Sequence, residues 1–184
     1  MIIRTTYSII IEAFDKPVEP LTDELEDELF EPIYKNKIKI FETAGSIERL
    51  IDLIIAEYFY GDYSETNKDF RKRFKNLVLS SDWCSFATKK KLVIHIITEF
   101  NFLNKKEKEE FNQLLFKTMS YRNAFAHGTT VTDGRIVKLR YYEGGQKEKK
   151  LDDTYFSEVQ SNLNKCYVTA EHIAKQKMNL FKSS

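Results

Sequence analysis

The sequence predicts an all-α protein, a bundle of about five helices with one β-hairpin inserted at about residues 135–151. Apolar residues recur at intervals of three and four along most of the chain, which is typical of amphipathic helices. Only 6 Gly and 3 Pro occur among 184 residues, too few for a sandwich or barrel of many short strands. The spacing changes to strict alternation only once, near residue 135. The chain is long enough to bury a sizeable core, and we predict a single domain over 1–184.

The first predicted element is an acidic N-terminal appendage, residues 1–35. Within it, EPLTDELEDELFEPIY (19–34) predicts a short helix with Thr22 as its cap and its end near Pro32. The core bundle then covers 36–176.

Four helices are predicted before the hairpin. The first covers roughly 36–60 and stops at Gly61. The second is SETNKDFRKRFKNLVLSS, the third is SDWCSFATKKKLVIHIITEFNFL with a break at Asn104, and the fourth is KEKEEFNQLLFKTMSYRNAFAH with its stop at Gly128. One side of the second helix is expected to be its apolar side: Phe70, Phe74, Leu77 and Val78.

The hairpin and the last helix complete the bundle. RIVKLRYY (135–142) alternates, the Gly-Gly pair at 144–145 makes a turn, and QKEKKL returns. Asp152 or Asp153 can cap the last helix, and we expect its tail to fray from Asn179. The apolar stripe of this helix contains Tyr155, Phe156, Val159, Leu163, Cys166 and Tyr167.

Several classes of protein are disfavoured by what the sequence lacks. Cys84 and Cys166 belong to no metal-ligand or redox pattern, so a reducing cytoplasm is the default and no metal is expected. There is no GxxxxGK[ST], GxGxxG or HExxH motif, and we expect no cofactor. Arg4 and Glu12 bracket the apolar N-terminal run, unlike a signal peptide, and no apolar stretch is long enough to span a membrane.

The net charge of +1 hides an asymmetry along the chain. Residues 1–31 hold nine acidic and two basic side chains, whereas residues 32–184 hold 19 acidic and 27 basic ones. The basic body is compatible with an anionic partner such as RNA, but solvated helix faces explain lysine runs as well. RKRFK (71–75) and KKK (89–91) are open to both interpretations. One role for acidic segment 19–31 is to shield a basic groove.

The stretch SYRNAFAHGTT (120–130) combines residue types that suit chemistry. A helix advances about 100° per residue, so Arg122 and His127 flank an arc of about 140°, with Met119 and Asn123 between them. A second copy of the helix could cover such a surface. The plainer interpretation is that Arg122 pairs with an acid and His127 interacts with the carbonyls of the helix end.

The segment RNAFAH (122–127) resembles the RNxxxH motif of the HEPN superfamily, the higher eukaryotes and prokaryotes nucleotide-binding domains. SFATKKKLVIHII also resembles the start of the preceding helix in that family, and the resemblance covers roughly 36–176. It implies a homodimeric, metal-independent endoribonuclease of a toxin–antitoxin or phage-defence system, with Arg122 and His127 catalytic and Asn123 supporting.

The resemblance leaves the activity open, because the superfamily also contains inactive members. The alternative is a catalytically silent HEPN-like module that binds RNA, nucleotide or protein. An antitoxin or inhibitor protein is a further potential partner. Members paired with a nucleotidyltransferase antitoxin carry Tyr where this chain has Thr129, so regulation by tyrosine modification there is not expected.

The chemistry of RNA cleavage agrees with these residue types. Histidine transfers protons near neutral pH, the planar guanidinium of Arg122 can bind two phosphoryl oxygens, and Asn123 can orient a phosphate or an imidazole. We expect His95 to be a core residue and His172 a surface or packing residue. One protomer therefore offers one catalytic imidazole, His127, and a homodimer offers two.

Overall fold

A computed structural model describes residues 23–61 and 65–182, with side chains at 28–61 and 67–176. Within these ranges the elements are α1 (Asp23–Tyr60), α2 (Glu65–Phe74), a π-helix (Lys75–Leu79), α3 (Phe86–Phe100), α4 (Lys105–His127), β1 (Thr129–Asp133), β2 (Ile136–Tyr142), β3 (Gln146–Lys150) and α5 (Asp153–Lys182). The predicted helical bundle with a β-insertion between the motif helix and the last helix is confirmed. No helix in these ranges is long and apolar enough to cross a membrane.

The described residues form two compact units. The helical unit comprises Ile40–Arg122 together with 159–182, and the mixed unit comprises 23–39 together with Asn123–Glu158. Helices α1, α4 and α5 each contribute residues to both units. The boundary falls inside the RNAFAH motif, so Arg122 is described with the helical unit and the rest of the motif with the mixed unit.

Isoleucine is the commonest residue in the core of the helical unit. Apolar residues at helical spacing on α1, α3, α4 and α5 are almost completely buried, each contributing about 1.5–3 kcal/mol by leaving water. This core includes Ile40, Ile47, Ile51, Ile54, Ile55, Val93, Ile96, Ile97, Phe111, Leu115, Val159, Leu163 and Cys166. The predicted stripe of the last helix is thus confirmed in this unit for Val159, Leu163 and Cys166, whereas Tyr167 is only half-buried.

Helix α1 corrects one prediction, since it continues through Pro32 rather than ending there. Proline removes one helical hydrogen bond and strains the preceding turn, at a cost of about 3 kcal/mol. The buried side chain of Ile33 offsets part of this cost, and the side-chain amide of Asn36 donates to the Pro32 carbonyl at 2.9 Å. The helix stops at Gly61 as predicted, with a left-handed φ of 71°. The predicted cap Thr22, like all of residues 1–22, lies outside the described residues.

The second predicted helix forms, but only part of its predicted apolar side is covered: Phe74 and Val78 are half-buried. Phe70 is 59% exposed and Leu77 is exposed as well. After Phe74 the backbone widens into the π-helix, which adds residues to the turn and rotates the side chains that follow. As a result Leu79, rather than Leu77, enters the core.

Side-chain caps fix the connection between α3 and α4. Ser85 accepts a hydrogen bond from the Thr88 amide at 3.3 Å at the start of α3, and Asn101 ends that helix with a left-handed φ of 52°. The break predicted at Asn104 is a reciprocal cap of α4. The side chain of Asn104 accepts from the Glu107 amide at 3.0 Å, and the Glu107 carboxylate accepts from the Asn104 amide at 2.9 Å.

The mixed unit contains an antiparallel sheet in the order β1-β2-β3. Strands β2 and β3 are the predicted hairpin. Strand β1 was not predicted, because its sequence TTVTD has one apolar residue and no clear alternation. Val137 and Leu139 of β2 are buried.

The start of α5 confirms one of the two predicted caps. The Asp152 carboxylate accepts from the Tyr155 amide at 3.0 Å, and this bond, with a smaller contribution from Lys150, holds the pKa of Asp152 below its ordinary value. The Phe156 ring packs 6.2 Å from Phe125 of α4, centroid to centroid. The backbone of α5 is helical to Lys182, beyond the point where fraying was predicted.

Candidate catalytic site at the end of helix α4

Helix α4 ends where the backbone of strand β2 lies close to it. The Gly128 amide donates to the Ala124 carbonyl at 2.8 Å, which confirms the predicted stop. A Cβ at Gly128 would lie 2.8 Å from the Arg140 carbonyl oxygen, 2.9 Å from Cδ1 of Leu139, and closer still to the Ala124 carbonyl. Gly128 does not have a left-handed φ. Glycine is needed here for the close approach of two backbones, rather than for its conformation.

The motif residues of the mixed unit are divided between solvent, which also reaches Ala126, and the interior. Asn123 and His127 are exposed, whereas Ala124 and Phe125 between them are buried. The apolar residues inside the motif therefore anchor the helix end. Within the part of the chain that the structure describes, the Asn123 and His127 side chains make no hydrogen bond or ion pair, so both can meet a ligand.

Arg122, in the helical unit, faces a carboxylate. Its Nη1 lies 3.7 Å from Oε2 of Glu48 on α1, and 44% of its side chain is exposed. The other oxygen of Glu48, Oε1, accepts a hydrogen bond of 2.7 Å from Nζ of Lys89 on α3. The prediction that Arg122 pairs with an acid is confirmed.

Lys89 is the centre of a buried ionic cluster with Glu48 and Asp52. Its side chain is only 4% exposed, and its Nζ also lies 2.9 Å from Oδ1 and 3.2 Å from Oδ2 of Asp52. Burial by itself would lower the pKa of Lys89, but the hydrogen bonds to Glu48 and Asp52 raise it above its ordinary value. Lys89 is therefore a firmly charged ammonium that connects α1 to α3.

The two basic runs of the sequence are only partly on the surface. Arg71 is buried, with Nη2 3.7 Å from Oε1 of Glu57, and Lys89 is buried in the cluster described above. The Lys90 ammonium lies 5.7 Å from the centroid of the Phe116 ring. It was therefore wrong to place Arg71 and Lys89, the first residues of the two runs, on a basic surface.

Glu48 and Lys89 were not predicted as site residues, although the sequence contains a signal for both. Lys89 lies four residues before buried Val93, which places it on the apolar face of α3. Glu48 and Asp52 are four residues apart along α1, each directly after a buried isoleucine. A lysine on an apolar face together with two carboxylates at helical spacing indicates a buried ion cluster.

Of the predictions for the other two histidines, the one for His95 was wrong and the one for His172 agrees with the structure. The prediction of a core position for His95 was wrong, since 74% of its side chain is exposed and its Nε2 lies 3.8 Å from Oε2 of Glu99. The buried stripe of α3 is narrower than LVIHII suggests, and His95 lies outside it. His172 is exposed and 2.8 Å from the Gln176 amide nitrogen, in agreement with the prediction of a surface or packing role.

The two thiols are free and buried. Burial raises the pKa of Cys166 to about 11, although a hydrogen bond with Thr118 acts in the opposite direction. Burial also raises the pKa of Cys84. Across the described ranges, no three His, Cys, Asp or Glu side chains are grouped so that they could hold a metal ion.

Comparison with known proteins adds no relative. None of the protein-family models, curated proteins or solved structures compared with this chain matches it.

Proposed function

We propose that this chain is a metal-independent endoribonuclease of HEPN type. The observation that carries the proposal is the arrangement at the end of α4. Arg122, Asn123 and His127 are exposed there, while Ala124 and Phe125 between them are buried. The helix end is anchored by the apolar residues of the motif, and its polar residues are available to a substrate.

In the proposed reaction the 2′-hydroxyl of RNA attacks the adjacent phosphorus. The hydroxyl proton passes to a neutral imidazole, the bond from phosphorus to the 5′ oxygen breaks, and a protonated imidazole supplies a proton to that oxygen. The products are a 2′,3′-cyclic phosphate and a 5′-hydroxyl. Arg122 binds the non-bridging oxygens as their negative charge grows, and Asn123 orients the phosphate or the imidazole.

The test is cleavage of a labelled mixed RNA, with and without EDTA, by wild type, Arg122→Ala and His127→Ala. Arg135→Ala, in the turn between β1 and β2, is the arginine control, and His95→Ala is the histidine control, because both side chains are exposed. We expect EDTA-resistant cleavage with cyclic phosphate ends, lost in the two motif variants and kept in the controls.

Two other outcomes point elsewhere. RNA that is retained but uncut by wild type favours the silent binding module. The observation behind this alternative is the carboxylate of Glu48, 3.7 Å from Arg122, which partly neutralises the cation that would stabilise the transition state. Cleavage that persists in both motif variants contradicts the proposal.

A homodimer is part of the proposal, because one protomer supplies a single His127. Phe116, on the part of α4 that belongs to the helical unit, is 49% exposed. An exposed aromatic side chain on a helix can pack against its own copy about a twofold axis. We expect Phe116→Glu to be monomeric by light scattering and inactive. Phe70→Glu, at a 59% exposed phenylalanine of α2, is the matched control and should stay dimeric. A fully active monomeric wild type would contradict this part.

The biological role that we propose is a cytoplasmic toxin or defence effector, restrained in some settings by an antitoxin or inhibitor protein. Expression of the wild type should then arrest growth, and His127→Ala should relieve the arrest. Equal arrest by wild type and His127→Ala would separate toxicity from nuclease chemistry.

A further inference from the structure

The carboxylate of Glu48 is divided between two cations. Oε1 accepts a 2.7 Å hydrogen bond from Lys89, and Oε2 faces Nη1 of Arg122 at 3.7 Å. Both oxygens are therefore engaged within the helical unit, and the direction in which the carboxylate points is set by the buried lysine.

Lys89 makes a rigid anchor for this arrangement. Its ammonium also contacts Asp52 and is almost completely buried, so it has little freedom to reorient. A buried ion cluster is weak evidence for stability, because apolar residues of similar volume often stabilise a fold equally well or better. The cluster instead fixes a charge at one place beside Arg122.

Arg122 keeps donors available despite its partner. A separation of 3.7 Å is too long for a direct hydrogen bond, and nearly half of the side chain is exposed. A guanidinium has five N–H donors, so a carboxylate on one side limits its orientations without occupying the edge that a phosphate would use.

We propose that Glu48 is a positioning residue for Arg122, and that Lys89 holds Glu48 in the required direction. This inference rests on the proposed nuclease function for its kinetic consequences. Glu48 acts through Arg122 and does not itself touch the substrate. Small errors in the position of a catalytic group reduce the rate strongly, whereas substrate affinity depends more on total charge.

The central variant is Glu48→Gln, which keeps the length of the side chain and one carbonyl oxygen for Lys89. It removes the charge that faces Arg122. We expect kcat to fall about 10- to 100-fold, while KM stays constant or falls, since a negative charge near the phosphate is lost. Glu42→Gln, the same change at an exposed position of α1, is the matched control and should behave as wild type.

A second variant and a second measurement keep the test independent of folding and of the nuclease proposal. Glu48→Asp keeps the charge but withdraws the carboxylate by one methylene, and it should give a smaller loss of kcat. In addition, ¹⁵N relaxation of the Arg122 Nε signal, assigned with Arg122→Lys, reports the order of the guanidinium directly. We expect the order parameter to fall in Glu48→Gln and to be unchanged in Glu42→Gln.

The outcomes are distinguishable. If wild type cleaves RNA and Arg122→Ala does not, unchanged kcat in folded Glu48→Gln overturns the positioning role. An unchanged Arg122 order parameter in both Glu48 variants overturns it as well. If wild type cuts no RNA, the nuclease proposal fails, while the relaxation measurement still decides whether Glu48 orders Arg122.

Discussion

Replacing Gly128 by alanine tests the close approach of α4 and β2. The added Cβ would lie within 3 Å of the Arg140 carbonyl and of Leu139 Cδ1, so one backbone must shift. The shift would weaken the 2.8 Å hydrogen bond from Gly128 to Ala124, worth about 1 kcal/mol, and overpacking adds about 1–3 kcal/mol. Together we expect Gly128→Ala to lower the free energy of unfolding by about 2–4 kcal/mol.

Gly45 provides the matched control. It lies inside α1, and a Cβ there would meet only Nη1 of Arg49, at 3.6 Å, which is ordinary contact. Gly45→Ala should therefore raise the free energy of unfolding by about 0.5–1 kcal/mol, as expected for alanine in a helix. Urea unfolding followed by circular dichroism measures both changes. Equal stability of Gly128→Ala and wild type would refute the close approach.

Three further predictions concern stability and reactivity. Lys89→Met removes the ammonium that Asp52 contacts and leaves Glu48 with only the more distant Arg122, so it should lower the free energy of unfolding by about 3–5 kcal/mol. The pKa of Lys89 is raised from 10.5 in the folded state, so the stability that Lys89 contributes should persist below pH 10.5 and disappear as the pH rises through the folded pKa. If Lys89→Met lowered the free energy of unfolding equally at all pH values, a charged Lys89 would not be the source of that stability. Cys84 and Cys166 should resist a disulfide reagent at pH 8 until urea unfolds the chain, because both are buried and the Cys166 pKa is about 11; rapid reaction in native buffer would exclude this burial. Asn104→Ala should cost about 1 kcal/mol through loss of the α4 cap, and an unchanged urea midpoint would argue against that cap.

The elements that were predicted from the sequence are those in which the local hydrophobic pattern agrees with the burial found in the fold. Helices α3, α4 and α5 have clear caps and stripes, and the hairpin has a Gly-Gly turn between alternating runs. Strand β1 could not be predicted, because Thr129–Asp133 becomes a strand only by pairing with β2.

Two errors had a different origin, in the geometry of individual helices. The π-helix after Phe74 changed the rotation of the side chains that follow, so a pattern based on 3.6 residues per turn selected Leu77 instead of Leu79. His95 was assigned to the core because its neighbours in sequence are hydrophobic, although its position around α3 places its side chain in solvent.

The candidate site was predictable as a motif but not as an electrostatic arrangement. Arg122, Asn123 and His127 are candidates because the segment that holds them resembles the RNxxxH motif. The pairing of Arg122 with Glu48 could not be predicted in the same way, because it joins residues on two helices that are 74 positions apart in the chain. Long-range ion pairs depend on how helices pack, and the local spacing of residues does not reveal that packing.

A mixing experiment distinguishes a shared site from two independent ones. The Arg122–Glu48 pair is partly exposed, so it is worth about 0–1 kcal/mol, and a phosphorane with more negative charge can compete for the guanidinium. Each protomer has a single His127, so under the proposed function activity also depends on a second imidazole, which the partner protomer supplies. Wild type equilibrated with an equal amount of Arg122→Ala/His127→Ala should contain about one quarter wild-type dimers, and activity per wild-type chain should fall by about half. Adding Phe116→Glu to the inactive chain should abolish that fall, because the inactive chain can no longer pair. If activity per wild-type chain stays constant as the inactive chain is added, each protomer carries a complete site and the dimeric mechanism is wrong.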